Sequence, residues 1–380
     1  QVLPSQIQEA FLADPLSDVP PDPLLPSPPI SRALSPLEQV ALNQALDQLL
    51  ATITELGQAG DTQRARELWM REVRLRRLLG VKAELIAIDR AALTLRDWNA
   101  TQDLQLLSAR LTTLVPSLLA QTPLPLDQLE AIAATYGILG NLEAALALRG
   151  TLAEDANRRG DRGAYLNQLE RIANLYEAGF QFPEAAHSYQ QLVAIATTAA
   201  VTKDQIRFLQ AQIKNLTLAQ DPGGALGAQQ QLLQCYLSDS SYWPQVASLQ
   251  YAMAENQLLL GDRSTASRQY QMAYTNAMGG QQLSLATAIL GRLIKLYESL
   301  GHWTDVDYLY EQLLQVHQTT GNTYGLMDSF DQLGQLYEKQ RNPQAALSSY
   351  RRGLALARSL DYRQDYFETQ IRRLSQMKVP

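Results

Sequence analysis

Toward the C-terminal end the chain reads Phe330-Asp331-Gln332-Leu333-Gly334-Gln335-Leu336-Tyr337, then Gln340-Arg341-Asn342-Pro343, then Ala345-Ala346-Leu347-Ser348-Ser349-Tyr350-Arg351-Arg352-Gly353. Apolar residues recur at steps of three and four on both sides of Asn342-Pro343, which is the period of a helix and not of a strand. Asn-Pro between two such runs is a turn signal, so the stretch predicts a helical hairpin. Gly334 and Ala346 are small enough for two helices to approach closely, and Tyr337 and Tyr350 are large enough to fill the gap to a neighbouring hairpin.

The same offsets return along the chain: Leu290, Leu293, Tyr297, Val306 and Tyr310; Met253, Ala254, Ala266, Tyr270 and Ala273; Leu169, Ile172, Ala173, Tyr176, Ala185 and Tyr189. Earlier come Leu129, Ile132, Ala133, Tyr136 and Ala145, then Leu56, Ala65 and Trp69. One series of turn signals, Gly60-Asp61, Gly140-Asn141, Gly179, Asp221-Pro222-Gly223, Gly261-Asp262, Gly301-His302 and Asn342-Pro343, repeats at a period of about 40 residues. A second, Gly80, Gly160, Gly279-Gly280, Gly321-Asn322 and Asp361, falls midway, so each period holds two helices. The double gap after Gly60 implies one more, degenerate repeat near residue 96, where Arg96 and Gln105 break the pattern. The count is therefore about eight hairpins. Polar residues over 362–377, among them Arg363, Asp365, Glu368, Arg372 and Arg373, suit a capping helix.

This spacing resembles the tetratricopeptide repeat, whose first helix carries a large residue, Leu, a small residue and Tyr, and whose second carries a small residue and then an aromatic. The resemblance covers residues 38–380 and implies an all-α, right-handed superhelical solenoid of about eight hairpins with a C-terminal cap. The period exceeds the family's usual length of about 34 residues, as in the longer repeats of kinesin light chains and some bacterial regulators.

Residues 1–37 hold nine of the seventeen prolines, which predicts an arm that is extended or disordered until it docks, with Leu24, Leu25 and Ile30 available for burial. With 46% hydrophobic and 18% charged residues, the rest has enough apolar content for a packed core. A net charge of -6 offers no field for a phosphate backbone, which excludes nucleic acid as the expected partner. Cys235 is alone and can form no intrachain disulfide. No stretch is long and apolar enough to predict a transmembrane insertion. A chain starting at Gln1 suits a processed, exported product.

Catalytic motifs are missing: there is no HExxH, CxxC pair, P-loop or GxSxG, and Gly223-Gly224-Ala225-Leu226-Gly227 lacks the Lys-Ser/Thr of a phosphate loop. The expectation is that the protein is no enzyme and has no catalytic residue; an enzymatic reading would need paired acids such as Glu130 and Glu170 across a cavity. His187, His302 and His317 have no spaced partners for a metal or a triad, although Asp305 and Asp307 follow His302 as a weak cation site. Trp98, Trp243 and Trp303 lie outside the repeat pattern and could form an interface.

Within the resemblance, the first helix of each hairpin lines a binding groove, at positions nine, six and two before the repeat tyrosine and one after it. These offsets select Asp127, Glu130, Asn167, Glu170, Asn174, Glu177, Arg207, Gln210, Lys214, Tyr251, Glu255, Lys295, Glu298, Asp328, Asp331, Gln335 and Glu338. Acids outnumber bases nine to three there, which favours cations and basic or amide-rich segments over acidic tails. No cofactor is required on this reading; carboxylates would suit a hard cation, Mn2+, Ca2+ or Mg2+, with Asp328, Asp331 and Glu338 as weak candidate ligands.

The family resemblance implies a protein-protein interaction scaffold. The chain is further similar to cyanobacterial processing-associated tetratricopeptide proteins. That likeness implies a periplasmic photosystem II assembly factor that binds the C-terminal region of the D1 precursor and delivers manganese. The alternative is a cytoplasmic adaptor or sensor that binds a peptide without metal.

Overall fold

A computed structural model describes residues 5–18, 20–27, 30, 32–198 and 202–376. Parts of the expected arm (1–4, 19, 28, 29, 31) and Met377 of the expected cap lie outside the described residues. Eighteen α-helices and short 3-10 turns make up the described chain, with no strand among those residues.

The chain divides into two compact units, 1–192 and 193–380. The first contains α1 (Ser5–Leu12), α2 (Pro36–Gln58), α3 (Thr62–Arg76), α4 (Val81–Asp97), α5 (Thr101–Leu119), α6 (Leu126–Ile138), α7 (Leu142–Arg158), α8 (Arg162–Ala178) and most of α9 (Phe182–Thr198). The second contains α10 (Thr202–Leu218), α11 (Pro222–Ser238), α12 (Trp243–Leu259), α13 (Arg263–Gly279), α14 (Leu283–Leu300), α15 (Trp303–Thr319), α16 (Thr323–Lys339), α17 (Pro343–Ser359) and α18 (Gln364–Gln376). Helices α2 to α17 form eight hairpins, as the turn series implied, and α18 packs on α17 as the cap. The degenerate repeat is α4 with α5, where buried Leu, Ile and Ala replace the tyrosines.

The Gly-Asp and Gly-Asn pairs have a division of labour. The glycine turns the chain through the left-handed region, as at Gly140 (φ 73°), and the next side chain caps the following helix, as Asn141 Oδ1 accepts from Ala144 N at 3.1 Å. Asp61, Asp161, Asp221, Asp262, Asn322 and Asn342 cap in the same way. Two turns read from glycines differ in detail. The left-handed residue beside Gly179 is Phe180 (φ 58°), and the one beside Gly279-Gly280 is Gln281 (φ 56°). The turn geometry is set by hairpin packing, which carries a non-glycine at about 1–2 kcal/mol.

The small positions are closed: Ala65, Ala133, Ala145, Ala173, Ala185, Ala266 and Ala346 are fully buried. Tyrosines stitch successive hairpins. Tyr136 hydroxyl lies 3.2 Å from Thr112 Oγ1 of α5, and Tyr297 hydroxyl lies 2.7 Å from Ser267 Oγ of α13.

The arm, expected to be extended or disordered until it docks, is docked over its described residues and is helical in part. Residues 5–12 are helical, and the arm lies on α3 because its acids meet an arginine-rich helix face. Arg71 donates two hydrogen bonds of 2.7 Å to Asp22, Arg74 pairs with Asp18, and Arg77 donates to the Phe11 carbonyl at 2.8 Å and covers the Phe11 ring. Leu24, Leu25 and Ile30 pack around Leu34, Leu42, Leu46 and Leu75.

Candidate binding groove of the second unit

In the second unit the first helices α12, α14 and α16 line a cavity of about 670 Å³ whose floor is α15. Tyr251 comes from α12; Thr287, Ala288, Arg292, Lys295 and Glu298 from α14; Gln332, Gln335 and Lys339 from α16; Tyr310, Leu313 and His317 rise from the floor. A groove with an apolar floor and polar walls is the form that holds a short segment of another chain.

Of the residues selected by offset, the structure brings Tyr251, Lys295, Glu298, Asp328 and Gln335 to this cavity. Lys214 stands exposed on α10. Six others belong to the first unit. Asp127 borders a separate cavity of about 550 Å³ with Ile86, Arg90 and Ala131. Glu130 accepts from Gln168 at 3.0 Å, Asn167 from Arg171 at 2.7 Å and Asn174 from the Tyr189 hydroxyl at 2.7 Å. Glu170 and Glu177 are half-buried.

The acidic lining expected from the sequence is largely neutralised within the fold. Asp331 is buried and accepts from Arg363 at 2.7 Å, Tyr366 hydroxyl at 2.8 Å and Gln335 at 3.2 Å, so it faces α18 and does not line the cavity. Glu338 accepts from Arg373 at 2.6 Å and from Tyr350 hydroxyl at 2.7 Å. Glu255 is held by Arg292 and the Tyr270 hydroxyl. Asp328 accepts from Gln332 at 2.7 Å, with Arg363 at 3.6 Å. Arginines on the next first helix, or on the cap, supply these counter-charges. Of the three manganese candidates, Asp328, Asp331 and Glu338, each therefore has an arginine within ion-pair distance. Among the described residues no group of three His, Cys, Asp or Glu is arranged to hold a metal.

Burial lifts the Tyr310 hydroxyl above its ordinary pKa, and the charges of Glu298 and Asp328 add to the effect. Burial also pushes the His317 imidazole below its ordinary value, against the opposing pull of Asp328. His317 sits in the floor with Nδ1 3.3 Å from Asn322 Nδ2. His187 is exposed on α9, and His302 Nδ1 lies 3.7 Å from Asp305. Asp307 instead faces Tyr337, which separates it from that pair. Trp98 covers Gly57, whereas Trp243 and Trp303 remain exposed.

Sequence reasoning missed Arg292, Gln332 and Lys339. Arg292 and Gln332 both stand five residues before a repeat tyrosine, an offset the groove positions did not include, and their recurrence one repeat apart was the available signal.

No helix among the described residues is long and apolar enough to cross a membrane. No curated protein matches the chain. Solved structures similar to it include BtubC from P. vanneervenii, at 18% identity over 58% of this chain and 92% of that one, with a TM-score of 0.38. Another is a signal-transduction ATPase with a tetratricopeptide repeat sensor from Pyrococcus horikoshii, at 13% identity over 82% of this chain and 50% of that one, with a TM-score of 0.42. A third is a Rap protein complexed with competence and sporulation factor, at 14% identity over 88% and 98%, with a TM-score of 0.31. The tetratricopeptide repeat family model matches residues 329–361, which cover most of hairpin α16–α17, and the remaining hairpins share that two-helix plan.

Proposed function

We propose that the protein is an interaction scaffold, and no enzyme, whose second unit holds a short segment of a partner protein along the groove of α12, α14 and α16. The observation that carries this is the cavity of about 670 Å³, large enough for several side chains and walled by Lys295, Lys339 and Glu298, which have no ion pair among the described residues. The test is fluorescence anisotropy with degenerate nine-residue peptide pools. Binding that is saturable, and lost when Ala288→Trp fills the groove, supports the reading. Binding unchanged by that substitution, or none at all, sinks it.

The narrower reading is that the partner is the C-terminal region of the D1 precursor of photosystem II, met in the periplasm of a cyanobacterium and loaded there with manganese. It is supported by the sequence resemblance, and it requires Asp328, Asp331 and Glu338 to exchange Arg363 and Arg373 for metal. Calorimetric titration with manganese, against magnesium and calcium, should give selective saturable binding that is lost when these three acids become alanine. Absence of heat beyond the controls would leave a peptide scaffold without metal.

A further inference from the structure

In the second unit a buried tyrosine, a carboxylate and an arginine join one first helix to the next, or to the cap, as a rung, although the carboxylate stands three positions earlier on α12 (Glu255) than on α16 (Glu338). Between α16 and α18, the Glu338 carboxylate lies between the Tyr350 hydroxyl at 2.7 Å and Arg373 at 2.6 Å. Between α12 and α14, the Glu255 carboxylate lies between the Tyr270 hydroxyl and Arg292. Each rung thus holds a buried tyrosine, a carboxylate and an arginine.

The rung between α14 and α16 is incomplete. Its tyrosine is present: Tyr310 is 3% exposed and its hydroxyl reaches Gln332 Oε1 at 3.3 Å. Its carboxylate is present too, since Glu298 directly follows a repeat tyrosine just as Glu338 does. The arginine is not. Gln332 stands one repeat after Arg292 and one before Arg373, and it is shorter and uncharged. The Glu298 carboxylate has no ion pair or hydrogen bond among the described residues, and the cavity of about 670 Å³ opens beside it.

Resting on the scaffold reading above, we propose that the partner completes this rung: an arginine side chain of the bound segment enters the cavity and pairs with Glu298 beside the Tyr310 hydroxyl. A planar guanidinium, which can present two donors to one carboxylate and a third to a tyrosine hydroxyl, suits this pocket better than a point charge does. Lys295 and Lys339 line the same cavity without ion pairs among the described residues, so acceptors flanking the arginine fit the segment best and a run of basic residues does not.

Nine-residue peptide pools with a fixed central Arg, Lys, Gln or Glu and degenerate flanks test this by anisotropy. The central-Arg pool should bind wild type about tenfold tighter than the central-Gln pool, the size of one charge-assisted contact. Glu298→Gln should erase that preference. Gln332→Arg should also erase it, by closing the rung from within, and should not lower Tm. Equal binding of the Arg and Gln pools, or a preference that survives both substitutions, would overturn the inference while leaving the scaffold intact. No binding by any pool would remove both.

Discussion

The Tyr350 ring lies on the backbone of Gly334, so closely that a Cβ at position 334 would sit 2.5 Å from Tyr350 Cε1. This is the small-against-aromatic contact of the repeat, made between α16 and α17. Gly334→Ala should therefore destabilise the protein by about 1–3 kcal/mol through overpacking, despite alanine's better helix propensity. Gly291→Ala, inside α14 with no atom within 4 Å of the new Cβ, is the control and should stabilise by up to about 1 kcal/mol. Thermal denaturation of the two variants reads the difference, and equal Tm values would contradict it.

Glu84 is, with Glu72, one of two fully buried acids of the first unit among the described residues. It pairs with Arg77 at 3.0 Å and Arg110 at 2.6 Å, and burial has already pushed the Arg77 guanidinium down to about 10. Glu84→Gln leaves both arginines without their counter-charge and should cost about 3–5 kcal/mol, measured by urea unfolding.

Asp22 anchors the arm through Arg71. Burial raises its pKa, but the Arg71 bond and the Leu24 amide outweigh that, and the carboxyl rests below its usual value. A depressed folded pKa contributes stability that is complete above the ordinary carboxylate range, near pH 4, and is lost as pH falls through the lowered value. Asp22→Asn should weaken docking by about 1 kcal/mol at neutral pH. Amide exchange over residues 5–18 should speed up several-fold in the variant, while the rest of the chain stays unchanged.

His317 gives the second unit a pH dependence of its own. Its folded pKa is depressed by burial, so below about pH 6.5 the unfolded chain binds the extra proton and stability falls as pH drops. Wild type should lose more Tm between pH 7 and pH 5 than His317→Gln does. Parallel curves would show that His317 does not titrate on unfolding.

Much of the architecture was legible because its determinants are local. Gly140-Asn141 and Asn342-Pro343 name their turns by backbone preference and capping, and Ala346 and Tyr350 declare their faces by helical spacing. The degenerate repeat at α4 and α5 was found by its length alone. Part of the groove was legible for the same reason: Tyr251, Lys295, Glu298, Asp328 and Gln335 reach the cavity by repeat offset. Its floor, Tyr310, Leu313 and His317, was not, because those residues are on a second helix and show between two first helices only after packing.

By itself the sequence determined the helices, their pairing into eight hairpins, the cap and the face each helix presents, since these follow from periods of three to four residues and from turns. Tertiary structure decided which charges are spent. Asp22 meets Arg71 across 49 residues, Asp331 meets Arg363 across 32 and Glu338 meets Arg373 across 35. Such pairs form where separate helices come within reach of one side chain. A charge count along one helix cannot contain them, and that is why an acidic stripe in the sequence became a groove in which, among the described residues, Glu298 is the acid left without a counter-charge.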